Sequence, residues 1–384
     1  MKLMPNSQVK KMKLNNKRTI VNFSNSLLKH FGAPTWHETI PEIDQALEGQ
    51  DKVVVMLFDG LGRYIIDKHL RTRGFLRSHY LTTINATFPP TTVASTNGFL
   101  SGKFPIETGW ISWSQYFEDY KCDIEVFKNT RSSDGSLVRD KDNLIIAEKC
   151  PYENIFKQIK KANPSVNVFD VFPHKVRPKS DITNFKKARL TINKALKEST
   201  KAFVYFYWTL PDGNIHRYGV KSLRVHFVIK KIQRFVKKMV KNNPDTVFLT
   251  FADHGLIDVK YLDICDHDDL QNLLYRPLSF EKRVVNFFVK PDKKEQFALL
   301  FQKYYGRHFE LLDRKTVFQN ELFGKGRPHL VSYDFIGDFI AISKDEYCLY
   351  ASNETTPEKF VAHKGHHAGG TKEEMEIDIS IFND

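Results

Sequence analysis

Continuous apolar runs recur along this chain of 384 residues, and they constrain its fold more than any other feature. Each run spans five to seven residues with little polar alternation, which is typical of strands buried on both faces of a sheet. The predicted strands are 52–58, 166–172, 202–208, 246–251, 284–289 and 339–343.

Helix-like segments separate most of these runs. The predicted helices are 152–161, 184–197, 222–241 and 294–305, and the third carries apolar residues at helical spacing. This alternation favours an α/β fold, with a doubly wound, mainly parallel sheet and helices on both faces.

Two segments interrupt the alternation. Residues 119–143 are polar and contain a turn signal, so they predict a surface loop or flap. Residues 258–326 mix short strand and helix patterns and predict a small α+β insertion. We therefore expect a basic N-terminal arm and helix at 1–50, a core at 51–257 and 327–384, and a lid-like insertion at 258–326.

The charge balance favours an anionic partner. Lysine and arginine number 58 against 45 aspartates and glutamates, a net charge of +13. This surplus fits nucleic acid, an acidic membrane surface or a phosphate-bearing substrate, and it equally fits a solvated basic surface. The sequence has no arginine-rich low-complexity tail, which makes nucleic-acid binding the weaker interpretation.

Neither a membrane span nor a secretory signal is predicted. The longest apolar runs fall far short of the roughly 18 residues that a spanning helix needs, and no apolar segment follows the basic N-terminus. The four widely spaced cysteines disfavour a disulfide framework or a cysteine-based zinc site. We therefore expect a cytoplasmic protein, and the sequence leaves its oligomeric state open.

Acidic residues follow three of the predicted strands. Asp59 follows 52–58, Asp212 follows 202–208 with His216 four residues later, and Asp253-His254 follows 246–251. Ligands bind at the carboxyl ends of strands in open α/β sheets, so these side chains are expected to converge there. Each alone also fits an ordinary turn, but clustered carboxylates favour a bound cation. The aspartate and histidine mixture suits zinc or manganese better than calcium or magnesium.

Two further motifs carry candidate chemistry. Thr91 and Thr92 follow Phe-Pro-Pro at a predicted helix start, where a hydroxyl fits either a nucleophile in a phosphate-binding field or a simple N-cap. Near the C-terminus, His363, His366 and His367 lie among glycines and fit either a metal-binding loop or a surface tail. A capping box directly after them favours an ordered loop.

Taken in this order, the motifs resemble the alkaline phosphatase superfamily, and within it the type I phosphodiesterase / nucleotide pyrophosphatase branch. The match runs from Val53 to Gly370. The resemblance implies an alkaline phosphatase-like fold and two divalent metal ions, zinc or alternatively manganese. It also implies a small phosphate-ester or nucleotide-like substrate, cleaved at a phosphodiester or pyrophosphate bond through a phosphothreonine intermediate.

The resemblance also assigns roles to individual residues. One metal falls to Asp59, Asp253 and His254, with Thr92 as the adjacent nucleophile and Thr91 as the alternative. The second metal falls to Asp212, His216 and a C-terminal histidine. The family register places that ligand at His367, with His363 and His366 as competitors.

The sequence departs from the family pattern after the nucleophile. Thr108 replaces a histidine, and Trp113 replaces the asparagine that contacts phosphate in the diesterases. A monoester, phosphonate or sulfate ester hydrolase or a phosphomutase is therefore an alternative, as is a basic anion-binding protein with a degenerate site. Trp110, Trp113, Tyr116 and Phe117 fit either an aromatic slot for a flat leaving group or a core cluster.

The insertion carries cations that are predicted to meet the substrate. It begins directly after Asp253-His254, so its start is expected beside the crevice. The cations in question are Arg276, Lys282 and Arg283, with Arg327 just beyond.

Overall fold

The computed structural model describes residues 16–354 and 362–383. The first four lysines of the basic arm lie outside the described residues. The strands are β1 (Lys52–Phe58), β2 (Tyr80–Asn85), β3 (Ser114–Phe117), β4 (Cys122–Glu125), β5 (Thr130–Arg131), β6 (Asn167–Val171), β7 (Ala202–Trp208), β8 (Val247–Phe251), β9 (Ile257–Asp258), β10 (Lys260–Asp263), β11 (Ser279–Glu281), β12 (Val284–Phe287), β13 (Phe309–Asp313), β14 (Phe339–Ser343), β15 (Tyr347–Tyr350), β16 (Gly365–His366) and β17 (Glu376–Phe382).

The helices vary from single turns to one of 20 residues. They are α1 (Ile20–His30), α2 (Pro41–Leu47), α3 (Arg63–His69), α4 (Phe75–Ser78), α5 (Thr92–Ser101), α6 (Pro105–Thr108), α7 (Ile145–Lys149), α8 (Ile155–Ala162), α9 (Phe185–Lys197), α10 (Asp212–Tyr218), α11 (Leu223–Asn242), α12 (Asp268–Gln271), α13 (Lys294–Tyr305), α14 (Arg314–Gln319), α15 (Ser332–Phe335) and α16 (Lys372–Met375). Within the described ranges, no helix is long and apolar enough to cross a bilayer.

The central sheet has six strands in the order β2-β17-β8-β1-β7-β6. The last four pair in parallel, and β17 runs antiparallel between β8 and β2. Six of seven residues in β1 and in β7, and all five in β8, are buried, as their continuous apolar runs predict. The predicted mainly parallel α/β fold is confirmed.

Alternate residues of β7 show that helices cover both faces of this sheet. On one face, Phe203 and Tyr205 contact a ring directly after α1 and rings in α5 and α8. Phe206 and Trp208 contact rings from α9 and α11 on the other. Successive side chains of a strand point to opposite faces, so the two helical layers sandwich the sheet.

A second sheet, β11-β12-β14-β13, is antiparallel throughout. This sheet includes β14. The boundary that we expected at residue 326, between insertion and core, therefore separates β13 from its paired neighbour β14. Val284 and Ile340 pack into the main core, whereas Phe287 and Phe339 pack with α13 in a smaller core. All five residues of β14 are buried, so its apolar sequence resembles that of a strand in the central sheet. The division into core and insertion remains a proposal.

The polar segment 119–143 is not simply the loop that its composition predicts. It contributes β4 and β5 to a three-stranded antiparallel sheet with β3. Strands of two to four residues carry too few positions for a readable alternation, so composition alone suggested a loop.

Candidate metal centre

Three aspartates meet at one edge of the central sheet. Asp59 follows β1, Asp253 lies just after β8, and Asp212 opens α10 beyond β7. These three strands are neighbours and parallel, so their carboxyl ends share one edge. Gly60 is left-handed (φ +72°), and a Cβ there would lie only 2.9 Å from Asp212 Cα, so this close approach requires glycine.

Each of these aspartates has one carboxylate oxygen that is buried without a hydrogen-bond partner in the described residues. They are Asp59 Oδ1, Asp212 Oδ1 and Asp253 Oδ2. Burial, reinforced by the neighbouring carboxylates, raises the pKa of Asp59 well above its usual value, and burial also raises the pKa of Asp253. Buried carboxylates this close repel one another, and a cation between them relieves both the repulsion and the missing contacts.

His254 lies at the centre of the first group of ligand atoms. Its Nε2 is 3.5 Å from Asp59 Oδ1, 3.5 Å from Asp253 Oδ2 and 3.3 Å from the Thr92 hydroxyl. Its Nδ1 lies 3.1 Å from the Gly255 carbonyl oxygen, where an Nδ1–H donates. That bond leaves the Nε2 lone pair for a metal ion.

Asp212 anchors the second group. His216 Nε2 lies 3.1 Å and His367 Nε2 4.0 Å from Asp212 Oδ1. Both imidazoles again turn Nδ1 to a backbone carbonyl, Gly365 for His216 (2.8 Å) and Pro90 for His367 (3.1 Å). Ligand atoms of Asp212, Asp59 and His254 also lie within 4.8 Å of one another. The two groups therefore meet at the Asp212 carboxylate.

The C-terminal histidines differ in their surroundings. His366 lies in β16, which pairs with β9, and its Nδ1 accepts a hydrogen bond from the His367 backbone N–H. The His363 ring lies 4.5 Å from the His216 ring, and burial lowers its pKa to about 4. Among the described residues, only His367 of these three histidines has a ligand atom within 4.8 Å of ligand atoms of both Asp212 and His216.

The two candidate threonines have different partners. Thr92 opens α5 with its hydroxyl toward His254, whereas Thr91 is the N-cap residue and donates to Glu281 Oε1 at 2.7 Å. No local sequence pattern points to Glu281, because its contact with Thr91 spans 190 residues. Burial raises its pKa to about 7.

Comparison with known proteins identifies the fold and the family together. A model of the type I phosphodiesterase / nucleotide pyrophosphatase family matches residues 53–369. The chain belongs to this family. The match covers the centre from β1 to the C-terminal histidine loop, and the predicted resemblance is confirmed. A search of curated proteins gives no match.

Solved structures of two kinds of hydrolase share the fold at low sequence identity. Human ectonucleotide pyrophosphatase / phosphodiesterase 5 is 13% identical with a TM-score of 0.64, over 86% of this chain and 87% of its own. The murine enzyme, solved as an inactive threonine-to-alanine variant with AMP, is 12% identical with a TM-score of 0.62, over 86% and 88%. Phosphonoacetate hydrolase from Sinorhizobium meliloti 1021, with phosphonoformate, is 12% identical with a TM-score of 0.64, over 87% and 90%.

The aromatic residues that follow α5 and α6 belong mostly to the core. Trp110, Tyr116 and Phe117 are buried, and Trp110 Nε1 donates to the Cys150 carbonyl at 3.0 Å. The Trp113 ring packs on Phe127, and its backbone N–H donates to Glu281 Oε1 at 3.2 Å. The core alternative therefore describes these residues better than an open slot.

The four cations predicted to meet the substrate have different surroundings in the structure. Arg283 was expected to face the substrate, but it is fully buried and forms a two-pronged ion pair with Glu374 at 2.6 and 2.8 Å. Arg276 pairs with Glu118 at 2.7 Å and lies over the Tyr116 ring. Burial lowers the pKa of the Lys282 amine, and Arg327 is exposed.

The Arg283–Glu374 pair fixes the histidine loop to the second sheet. Glu374 Oε1 also accepts from the Gly369 N–H at 2.8 Å, two residues beyond His367. Arg283→Met is expected to lower the free energy of unfolding by about 3–5 kcal/mol, because it leaves a buried carboxylate unpaired. Urea denaturation measures this loss. The double variant Arg283→Met/Glu374→Leu is expected to recover part of the lost free energy of unfolding. A loss below about 1 kcal/mol in the single variant would contradict a stabilising role of the Arg283–Glu374 pair.

Proposed function

We propose that this chain is a two-metal hydrolase that cleaves phosphodiester or pyrophosphate bonds through a phosphothreonine on Thr92. The observation that carries the proposal is the set of three buried, unpartnered carboxylate oxygens beside three imidazole Nε2 atoms. A hydroxyl at the start of a helix lies against this set. A purely structural role gives no reason to leave three buried carboxylate oxygens without a hydrogen bond.

The donor atoms fit two divalent cations, zinc in the first place and manganese as the alternative. Asp59, Asp253 and His254 would hold one beside Thr92. The other would be held by Asp212, His216 and His367. When bound, such ions lower the pKa of a nearby hydroxyl and offset negative charge on a phosphoryl group.

The protein itself positions the nucleophile. Thr92 occupies the first position of α5, where free backbone N–H groups and the helix dipole favour negative charge on its oxygen and on a phosphoryl group. Its oxygen attacks phosphorus in line, the leaving oxygen departs on the opposite side, and phosphothreonine forms. Water then attacks the same phosphorus and releases phosphate or a phosphate monoester, which restores the hydroxyl and retains configuration at phosphorus.

The solved relatives support the threonine and the substrate class. The murine relative is inactive as a threonine-to-alanine variant and binds AMP, and the bacterial relative binds phosphonates. A small phosphate ester or nucleotide-like substrate fits this chain. A phosphonate is the second candidate, because Trp113 replaces the asparagine that contacts phosphate in the diesterases. The cytoplasmic location stays a prediction.

Elemental analysis combined with a substrate panel tests the proposal. The purified full chain is offered a nitrophenyl phosphodiester, the matching monoester, a phosphonate and a sulfate ester. We expect about two metal ions per chain and the fastest turnover on the diester. Faster turnover of the monoester, phosphonate or sulfate ester would assign the scaffold to that reaction. A protein with neither metal nor turnover would be the basic anion-binding protein instead.

Metal removal is expected to weaken the fold as well as the activity. Chelation leaves the three orphaned carboxylate oxygens facing one another, and readdition of zinc at a thousandfold excess over its Kd stabilises by about 4 kcal/mol. Thermal melting with and without zinc and manganese measures this. Asp212→Asn provides the matched control, with a smaller shift because the carboxylate shared by both groups is altered. A melting temperature indifferent to metal would contradict the site.

A further inference from the structure

Two neighbouring helices carry much of the positive surplus of the chain. The 13 residues of α9 include five lysines or arginines, and the 20 residues of α11 include seven. Neither helix contains an aspartate or glutamate. The proposed hydrolase reaction makes no use of these twelve cations.

The two helices lie side by side and run parallel. The Phe185 ring at the start of α9 stacks on Phe235 of α11, with centroids 4.5 Å apart. Eight residues after each of these rings, Asn243 Nδ2, directly beyond the end of α11, donates to Asn193 Oδ1 of α9 at 3.0 Å. Equal spacing between these two contacts means that both helices advance in the same direction on one face of the central sheet.

The outward side of this pair is a basic stripe interrupted by apolar residues. In α11, six of the exposed residues follow alternating steps of three and four, which place them on one side of the helix. They are Arg224, Phe227, Lys231, Arg234, Lys238 and Lys241. The α9 stripe has the same spacing, with Lys187, Leu190, Lys194 and Lys197. We call these ten residues, together with Leu223, the basic helix face.

Three large apolar side chains on this face are exposed to solvent. Leu223 is 73% exposed, Phe227 62% and Leu190 53%. Leu223 and Phe227 are one turn apart at the start of α11, where neighbouring side chains meet. Lys231, Arg234, Lys238 and Lys241 make no ion pair with any described residue. Lys194 of α9 lies 4.0 Å from Glu198, so the positive charge that is not neutralised is mainly that of α11.

We propose that the basic helix face docks on an anionic lipid bilayer. Cations near an anionic membrane surface each contribute about 1 kcal/mol, and exposed leucine and phenylalanine side chains enter the boundary between headgroups and acyl chains. Single-stranded nucleic acid would instead require a platform of aromatic side chains, and Phe227 is the one aromatic residue among the eleven that define the face.

Docking in this way has a geometric consequence. α11 follows α10, which carries Asp212 and His216, and α11 begins at the carboxyl edge of the sheet. The apolar pair Leu223 and Phe227 therefore lies at the end of the face nearest the metal centre. Insertion of that pair holds this edge of the sheet close to the bilayer surface.

Vesicle cosedimentation of the full chain tests the proposal. We expect binding to phosphatidylcholine vesicles that contain phosphatidylserine, little binding to pure phosphatidylcholine, and release by salt, which screens the charges. The triple variant Lys231→Glu/Arg234→Glu/Lys238→Glu is expected to bind at least about a hundredfold more weakly, since each cation contributes about fivefold. Leu223→Ser/Phe227→Ser removes the apolar part, and binding to the same vesicles is expected to weaken.

A second triple variant makes the comparison specific to this face. Lys290→Glu/Lys303→Glu/Lys315→Glu changes the net charge equally at exposed positions of the insertion, and its binding is expected to match the wild type. Circular dichroism and turnover of a soluble substrate confirm that all variants are folded. Equal loss in both triple variants would reduce the effect to net charge and overturn the proposal. Binding to single-stranded RNA without vesicle binding would overturn it as well.

Discussion

A Thr92→Ala variant is expected to keep its fold and its metal content while its turnover falls by several orders of magnitude. The Thr92 hydroxyl lies 3.3 Å from His254 Nε2, whereas the adjacent Thr91 hydroxyl is turned to Glu281. Loss of a nucleophile removes the covalent step itself. Elemental analysis, circular dichroism and single-turnover kinetics separate loss of chemistry from loss of fold or metal. Thr92→Ser, which retains a hydroxyl, is expected to recover part of the rate.

Thr91→Ala is the matched control for this prediction. It removes the adjacent hydroxyl, whose hydrogen bond goes to Glu281, so we expect a modest change in rate. If Thr91→Ala were inactive and Thr92→Ala active, the nucleophile would lie one residue earlier. The contact with Glu281 would then belong to the reaction.

His367→Ala is expected to lower the metal content from about two ions per chain to about one and to abolish activity. Its loss leaves Asp212 and His216 as the remaining side chains of the second group, and three protein ligands are usual at an open catalytic zinc site. Because the other group keeps its own side chains, one ion is expected to stay. Elemental analysis of the purified variant provides the count.

The other two histidines of the loop serve as controls. His363→Ala is expected to leave the metal count at about two, because His363 belongs to neither cluster of candidate ligand atoms among the described residues. His366→Ala is expected to keep both ions, since its ligand atoms do not join those of Asp212 and His216 in either candidate group of the described residues. Loss of one ion from His363→Ala, with both retained by His367→Ala, would move the ligand four residues upstream.

Strands that are buried on both faces were the most predictable part of the fold. The predicted bounds of 52–58 and 202–208 coincide with β1 and β7, because a continuous apolar run both marks such a strand and delimits it. β17 shows the limit of that criterion. Its alternating Ile377 and Ile379 are buried, but the polar residues between them break the run.

Partners distant in sequence were beyond prediction. The run at 339–343 identifies a strand, but whether it joins the central or the second sheet depends on β12 and β13, which no local pattern specifies. The pairing of Arg283 with Glu374 likewise joins residues 91 positions apart. The convergence of Asp59, Asp212, His216, Asp253, His254 and His367 at one edge of the sheet was predictable from strand ends and family spacing, and their roles as metal ligands stay a prediction.

The position of β17 affects the order in which the protein matures on the ribosome. β17 fills the gap between β8 and β2, yet roughly 130 residues are synthesised between the end of β8 and the end of β17. At about 5–20 residues per second, the nascent chain spends on the order of ten seconds with two facing strand edges unpaired. During this interval the gap between β8 and β2 can pair with any extended segment, so chaperone dependence is expected to concentrate while residues 252–382 are synthesised.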